Sequence, residues 1–172
     1  MSRETPSVRR WIVILLLSMF GFGTAVPARA SIIPLRLKAG LFFPQRSPLN
    51  GGDQWWKVGA DADIPVGIGL FGHTRVGIEW CQQCEKNTII PVTVTQIFNP
   101  AVAVKTPVYF GAGVGMWTAK IIGTPTATRF GFRLLAGVDV TNRYFVEGTY
   151  DFVQKVSGIS MDGLAVTVGM KF

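Results

Sequence analysis

The sequence predicts an all-β chain: an eight-stranded antiparallel up-and-down transmembrane β-barrel, preceded by a cleaved signal peptide. Three observations predict it. The first 30 residues have the order of charge and hydropathy expected of an export leader. The remaining residues fall into eight segments that alternate apolar and polar side chains. The last of these, from Gly163 to Phe172, alternates strictly and finishes on an aromatic residue.

The leader comes first. Arg3, Arg9 and Arg10 form a basic start, an apolar stretch runs from Trp11 to about Phe22, and Ala28-Arg29-Ala30 supplies a small-x-small cleavage site. The apolar run is short of the roughly 20 residues that a spanning helix needs. The expected organisation is therefore a signal peptide over 1–30 and a single barrel domain over 31–172. Arg9-Arg10 reads as ordinary leader charge, because the rest of a twin-arginine signal is missing.

Cleavage after Ala30 would leave 13 basic and nine acidic residues, a net charge of +4. The basic residues are scattered rather than clustered, so nucleic acid is not expected as a partner. No stretch beyond the leader is long and apolar enough for a membrane helix, and no motif calls for a cofactor.

The alternation places strands at about 33–43, 54–65, 73–82, 88–98, 106–117, 129–141, 143–154 and 161–172. In the first, Leu35, Leu37, Ala39, Leu41 and Phe43 oppose Arg36, Lys38 and Gly40. The second sets Trp56, Val58, Ala60, Ala62 and Ile64 against Lys57, Gly59, Asp61 and Asp63. The third sets Val76, Ile78 and Trp80 against Arg75, Gly77 and Glu79. The fourth is the least regular: Ile90, Val92, Val94 and Phe98 make an apolar face that Gln96 interrupts. In the fifth, Val108, Phe110, Ala112, Val114 and Met116 face away from Tyr109, Gly111, Gly113 and Gly115. The sixth sets Phe130, Phe132, Leu134, Ala136, Val138 and Val140 against Gly131, Arg133, Gly137 and Asp139. The seventh sets Tyr144, Val146, Tyr150 and Phe152 against Glu147, Thr149 and Asp151. The eighth alternates Leu164, Val166, Val168, Met170 and Phe172 with Ala165, Thr167, Gly169 and Lys171. Strands of about ten residues, tilted near 40°, rise about 25 Å, the height of the apolar band of a membrane barrel.

Alternation alone does not say which face points inward, but charge does. The polar face carries Arg36, Lys38, Lys57, Arg75, Arg133 and Lys171 against Asp61, Asp63, Glu79, Asp139, Glu147 and Asp151, six of each sign. Buried charges have to be paired, so equal numbers suit a packed interior. A basic side chain facing lipid at the midplane costs about 2–4 kcal/mol. The apolar face therefore points outward. On it, Phe43, Trp56, Trp80, Phe130 and Phe152 fall toward one rim and Phe98, Phe110, Tyr144 and Phe172 toward the other. These are the two aromatic girdles expected at the membrane interfaces.

These features together resemble the small eight-stranded bacterial outer-membrane β-barrel proteins of the OmpA/OmpX type. The resemblance implies an outer-membrane location, lipid and lipopolysaccharide as surroundings, and a monomer. It also implies that Phe172 acts as the assembly signal read by the outer-membrane barrel assembly machinery. OmpA proper continues into a peptidoglycan-binding domain, an activity not implied here. The expected external loops, about 44–53, 83–87, 118–128 and 155–160, are short for a protruding adhesive sheet.

Few residues suggest chemistry. Cys81-Gln-Gln-Cys84, at the third hairpin, is read as a local disulfide, with free thiols, a redox motif or half a metal site as alternatives. His73, the only histidine, has no neighbouring Ser with which to build a hydrolase site, so a lipid A-modifying enzyme is not expected. The lumenal charges are read as a structural network rather than as catalytic carboxylates or an ion path. Arg46, Lys86, Lys120, Arg129 and Lys155, in or beside the external loops, are candidates to pair with lipopolysaccharide. The expected function is a closed, charge-paired outer-membrane barrel with a structural or surface-interaction role and no catalysis. The alternatives are a narrow channel and a soluble periplasmic ligand-binding barrel.

Overall fold

The computed structural model describes residues 34–45, 55–66, 72–83, 87–99, 108–155 and 158–172. The leader, its cleavage site and the residues between these ranges, including Arg46, Cys84 and Lys86, lie outside the described residues. Eight strands follow one another: β1 (Leu35–Pro44), β2 (Trp55–Ile64), β3 (Gly72–Gln83), β4 (Asn87–Phe98), β5 (Val108–Lys120), β6 (Ala127–Asp139), β7 (Tyr144–Val153) and β8 (Gly163–Lys171). Each pairs antiparallel with the next, and β1 pairs with β8, so the sheet closes into a barrel with no free edge. Closure gives every strand a partner on both sides, the condition for a sheet that crosses lipid. The end at which β1 turns toward β2 is termed outer, and the end bearing Leu35 and Lys171 inner. At the inner end the Phe172 amide donates to the Leu35 carbonyl at 2.8 Å, and the Lys171 amide to the Arg143 carbonyl at 2.7 Å.

Most strand limits fall within two residues of those expected. The β5–β6 hairpin departs further: β5 runs on to Lys120 and β6 begins at Ala127, leaving a connection of 121–126 rather than 118–128. The extension is held by the Ala119↔Ala127 pair and by a 2.9 Å hydrogen bond between the Thr118 and Thr128 hydroxyls. The Ile121 carbonyl accepts from the Thr124 amide, and Gly123 supplies the positive φ that the turn requires.

One seam is incomplete. Between β3 and β4 the pairing passes from Ile78↔Val92 to Cys81↔Ile89 without the two intervening pairs. Pro91 stands opposite Glu79 at this point. It has no N–H to give the Glu79 carbonyl, and one missing hydrogen bond accounts for both lost pairs.

The outer wall is apolar. Leu37, Val58, Ile78, Val92, Val114, Phe132, Leu134 and Val166 are all exposed. A soluble protein rarely presents so continuous an apolar surface. The interior is stacked in layers. At the outer end Phe42, Trp55, Cys81, Ile89, Trp117, Ala119, Val153 and Ala165 pack together, and Ile121 and Met161 fold in from the connecting loops. The Asp162 carboxylate ties that second loop down by accepting from the Val153 amide at 2.8 Å and the Ser160 hydroxyl at 2.7 Å. Charged side chains fill the middle, and Ile97, Tyr109 and Leu135 pack near the inner end. The lumen is thus not lined by charge from end to end.

Candidate functional site

Among the described residues the ionisable groups concentrate in the interior charge network. Residues of one parity on β1, β2, β3, β6 and β7 point at the barrel axis, because side chains alternate across a strand. In the middle layer Lys38 Nζ lies 2.8 Å from Asp61, 2.8 Å from Glu79 and 3.2 Å from Glu147. Lys57 Nζ lies 2.8 Å from Glu79 and bonds the Thr149 hydroxyl at 3.3 Å. The Arg133 guanidinium is gripped twice. It meets both Glu79 oxygens at 2.9 and 2.6 Å and both Asp151 oxygens at 2.6 and 2.8 Å. Fork-to-fork pairing of this kind is the strongest geometry an arginine offers.

The inner layer centres on Asp63. Arg36 Nε and Arg75 Nε approach its two oxygens at 2.6 and 2.7 Å, and His73 Nε2 lies 3.3 Å away. Arg75 also reaches Glu147 at 2.6 Å. The Tyr109 hydroxyl donates to Glu147 at 3.2 Å. Arg36 stacks between Tyr109 and Phe145, with its guanidinium carbon 5.5 and 5.1 Å from the ring centroids, and Arg75 lies 5.4 Å over Tyr109. Those rings account for guanidinium nitrogens that make no hydrogen bond, Nη1 of Arg36 and Nη2 of Arg75. Lys171 pairs with Asp139 at 2.5 Å by the inner mouth. Each of the twelve lumenal charges read from the sequence therefore meets an opposite charge.

Glycines make this filling possible. Four of the inward aromatic rings lie on an inward glycine of a neighbouring strand: Trp117 on Gly131, Tyr109 on Gly137, Phe42 on Gly163 and Phe145 on Gly169. A methyl group at Gly137 would sit 2.3 Å from the Tyr109 ring. The packing leaves almost no surface to water. Lys57, Glu79, Arg133 and Glu147 are 1, 2, 2 and 0% exposed. A water column through the barrel would wet these groups, which are packed to its exclusion. Among the described residues no His, Cys, Asp and Glu cluster could hold a metal ion.

The other sequence-read residues are placed as follows. All nine girdle aromatics stand on the outer wall, with Trp56 and Tyr144 half-buried and the other seven exposed. Phe98 and Phe110 face each other across β4 and β5 at the inner rim. Cys81 is buried in the apolar outer layer, since it shares the inward parity of Glu79 and pairs with Lys57 on β2. The expected bridge to Cys84 lies outside the described residues. Lys120 and Lys155 are exposed and Arg129 half-buried at the outer end. Gln96, which interrupts the outward face of β4, bonds Thr74 and the His73 carbonyl rather than facing lipid alone.

Sequence reasoning missed the inward apolar residues Phe42, Trp55, Ile97, Trp117, Leu135 and Phe145, and the His73–Asp63 contact. The signal for the first group was present as doublets. Where two large apolar residues are adjacent, as in Phe42-Phe43, Trp55-Trp56 and Leu134-Leu135, both faces of the strand are apolar. The His73 contact depends on β2–β3 register, which alternation does not give.

No protein-family model and no curated protein matches the sequence. Among solved structures the chain is similar to Neisserial surface protein A, NspA. That match has 16% identity and a TM-score of 0.59, over 83% of this chain and 98% of that one. It is also similar to Ail, the attachment invasion locus protein of Yersinia pestis, solved in complex with the heparin analogue sucrose octasulfate. Here the identity is 10% and the TM-score 0.42, over 81% of this chain and 96% of that one. The likeness to NspA shows the fold: a small eight-stranded outer-membrane β-barrel.

Proposed function

We propose that this chain is a monomeric integral protein of the outer membrane, with a closed, charge-paired lumen and a structural or surface-interaction role without catalysis. The observation that carries the reading is the inversion of its two faces. Exposed apolar side chains clad the wall, and the interior is ionic, paired and dry. Turning either face the other way would cost tens of kcal/mol, at about 2–4 kcal/mol for each basic group near the midplane. Its partners are outer-membrane lipids, lipopolysaccharide at the basic outer rim, and the assembly machinery that reads Phe172.

A soluble ligand-carrying barrel is disfavoured because its cavity would have to be where the charges are. A narrow channel is disfavoured because two apolar layers and the Arg133 clamp leave no wetted path. Hydrolysis of lipid A is disfavoured because His73 is held against Asp63 inside the inner mouth, at the end away from the outer leaflet. Gel mobility of outer-membrane fractions, with and without boiling, tests the reading. A folded barrel should shift on heating, and a protein found in the periplasmic extract with no shift would overturn it. In planar bilayers the barrel should show no unitary steps, and well-resolved steps would favour the channel.

A further inference from the structure

The apolar layer that closes the outer end is built from two kinds of residue. Phe42, Trp55, Cys81, Ile89, Trp117 and Val153 belong to strands, whereas Ile121 and Met161 come from connections. Those two are buried all the same, at 6 and 1% exposure, and Ile159 packs against the same layer. The β7–β8 connection is fastened chiefly through Asp162. Its carboxylate accepts from the Val153 amide at 2.8 Å and the Ser160 hydroxyl at 2.7 Å, and its carbonyl accepts from the Gln45 amide at 3.0 Å. Gly158, with φ at 83°, supplies the reversal that turns Ile159 and Met161 back over the mouth. The β5–β6 connection is fastened separately. The Asn87 side chain accepts from the Ile122 amide at 3.0 Å and donates to Gln83 at 2.6 Å. The strand pairs stop at Ala119↔Ala127 and at Asp151↔Gly163, so release of either connection leaves the wall whole.

We propose that residues 158–162 are a lid, latched by Asp162, whose release lifts Met161 out of the outer layer and admits water to Lys57 while the barrel stays closed below. Segments held by a few hydrogen bonds open locally at far lower free energy than the whole domain. The β7–β8 connection runs over 154–162 against 121–126 for β5–β6, and it carries the more deeply buried side chain. Lys57 stands across from Cys81 in the β2–β3 register, so it is the first ion that water meets once Met161 has left. The floor beneath does not move with the lid. Trp117, whose indole N–H reaches Asp151 at 3.4 Å, and the Arg133 clamp both sit on strands. The opened barrel is therefore a blind vestibule facing outward, with apolar walls and an ionic floor, and it conducts nothing.

Thiol labelling reads the lid. The chain has two cysteines, so Cys84→Ser leaves Cys81 as the sole thiol, at 2% exposure beneath Met161. The full barrel with this change is folded in detergent micelles and treated with a water-soluble maleimide. Cys81 should label slowly, at a rate nearly independent of urea below the unfolding transition, because lifting a short segment exposes little surface. Asp162→Ala removes two hydrogen bonds to a carboxylate and should speed labelling about 10- to 100-fold while keeping the gel shift on heating. Ser160→Ala removes one of them and should give a smaller increase, which keeps the test open if the first variant does not fold. Gly137→Ala, which weakens the barrel at its other end, should leave the rate unchanged. In planar bilayers Asp162→Ala should show no unitary steps. The proposal is overturned if both latch variants label at the parent rate, or if Gly137→Ala speeds labelling as much as they do. It also fails if the rate climbs with urea as steeply as unfolding does, since Cys81 would then be reached only through the unfolded chain. Unitary steps from Asp162→Ala would equally rule out a blind vestibule.

Discussion

Replacing Glu79 by Gln removes one carboxylate from a balanced set, and the geometry says which cation suffers. Arg133 would keep both oxygens of Asp151, and Lys38 would keep Asp61 and Glu147. Lys57 has Glu79 as its carboxylate and otherwise holds only the Thr149 hydroxyl. Glu79→Gln therefore strands one buried ammonium, at 1% exposure, which should cost about 3–5 kcal/mol. Lys57→Met alone leaves the interior one negative charge in excess, but Glu79 keeps Lys38 and Arg133, so its cost should be smaller. The double variant restores five charges of each sign and fills the space of Lys57 with an unbranched apolar chain. Its cost should fall well below the sum of the singles, with a coupling of about 2 kcal/mol or more. Urea unfolding in detergent micelles, read by tryptophan fluorescence and gel mobility, measures it. With a slope of about 2–3 kcal/mol/M, Glu79→Gln should lose about 1–2 M in midpoint, and Lys57→Met less. If the single costs add in the double to within about 0.5 kcal/mol, the charge-balance reasoning is refuted.

Two further predictions follow from the wall and its packing. Gly137→Ala would drive a methyl group into Tyr109 and disturb its bond to Glu147. It should cost about 1–3 kcal/mol in the same unfolding assay, and Tyr109→Val in the same chain should recover part of that loss. A full sum of the two costs would mean that the ring does not rest on that glycine. At the incomplete seam, Pro91→Val should restore the bond to the Glu79 carbonyl and stabilise the barrel by about 0.5–1.5 kcal/mol. Amide exchange around Trp80 and Ile90 should slow along with it, and a lowered unfolding midpoint would show that the seam is not where the wall is weak.

The sequence carried the fold because a barrel writes its pattern at a period of two, and each strand repeats the message. Val166 faces out and Thr167 in for the same reason that Val58 faces out and Lys57 in. The twelve lumenal charges were legible as a set, since they share one parity. Their individual partners were not. Lys38 meets Glu147 across 109 residues, a contact fixed by closure of the sheet rather than by local spacing. The apolar layers were overlooked because the inward face was read by its charges, although the doublets at Trp55-Trp56 and Phe42-Phe43 marked where the alternation lapses. Cys81 was read for its spacing from Cys84, and its inward parity, shared with Glu79, was passed over.

The distribution of carboxylates along the chain bears on how the barrel can be made. The cations Lys38, Arg75 and Arg133 emerge early or midway, but Glu147 and Asp151, which answer all three, belong to the penultimate strand. A chain stopped after β6 would hold an excess of positive charge that no partial sheet could hide from hydrocarbon. Entry into the bilayer and closure of the ring are thereby tied into one event. The ionic interior works as a completeness check: a truncated or mispaired chain carries its own bar to insertion.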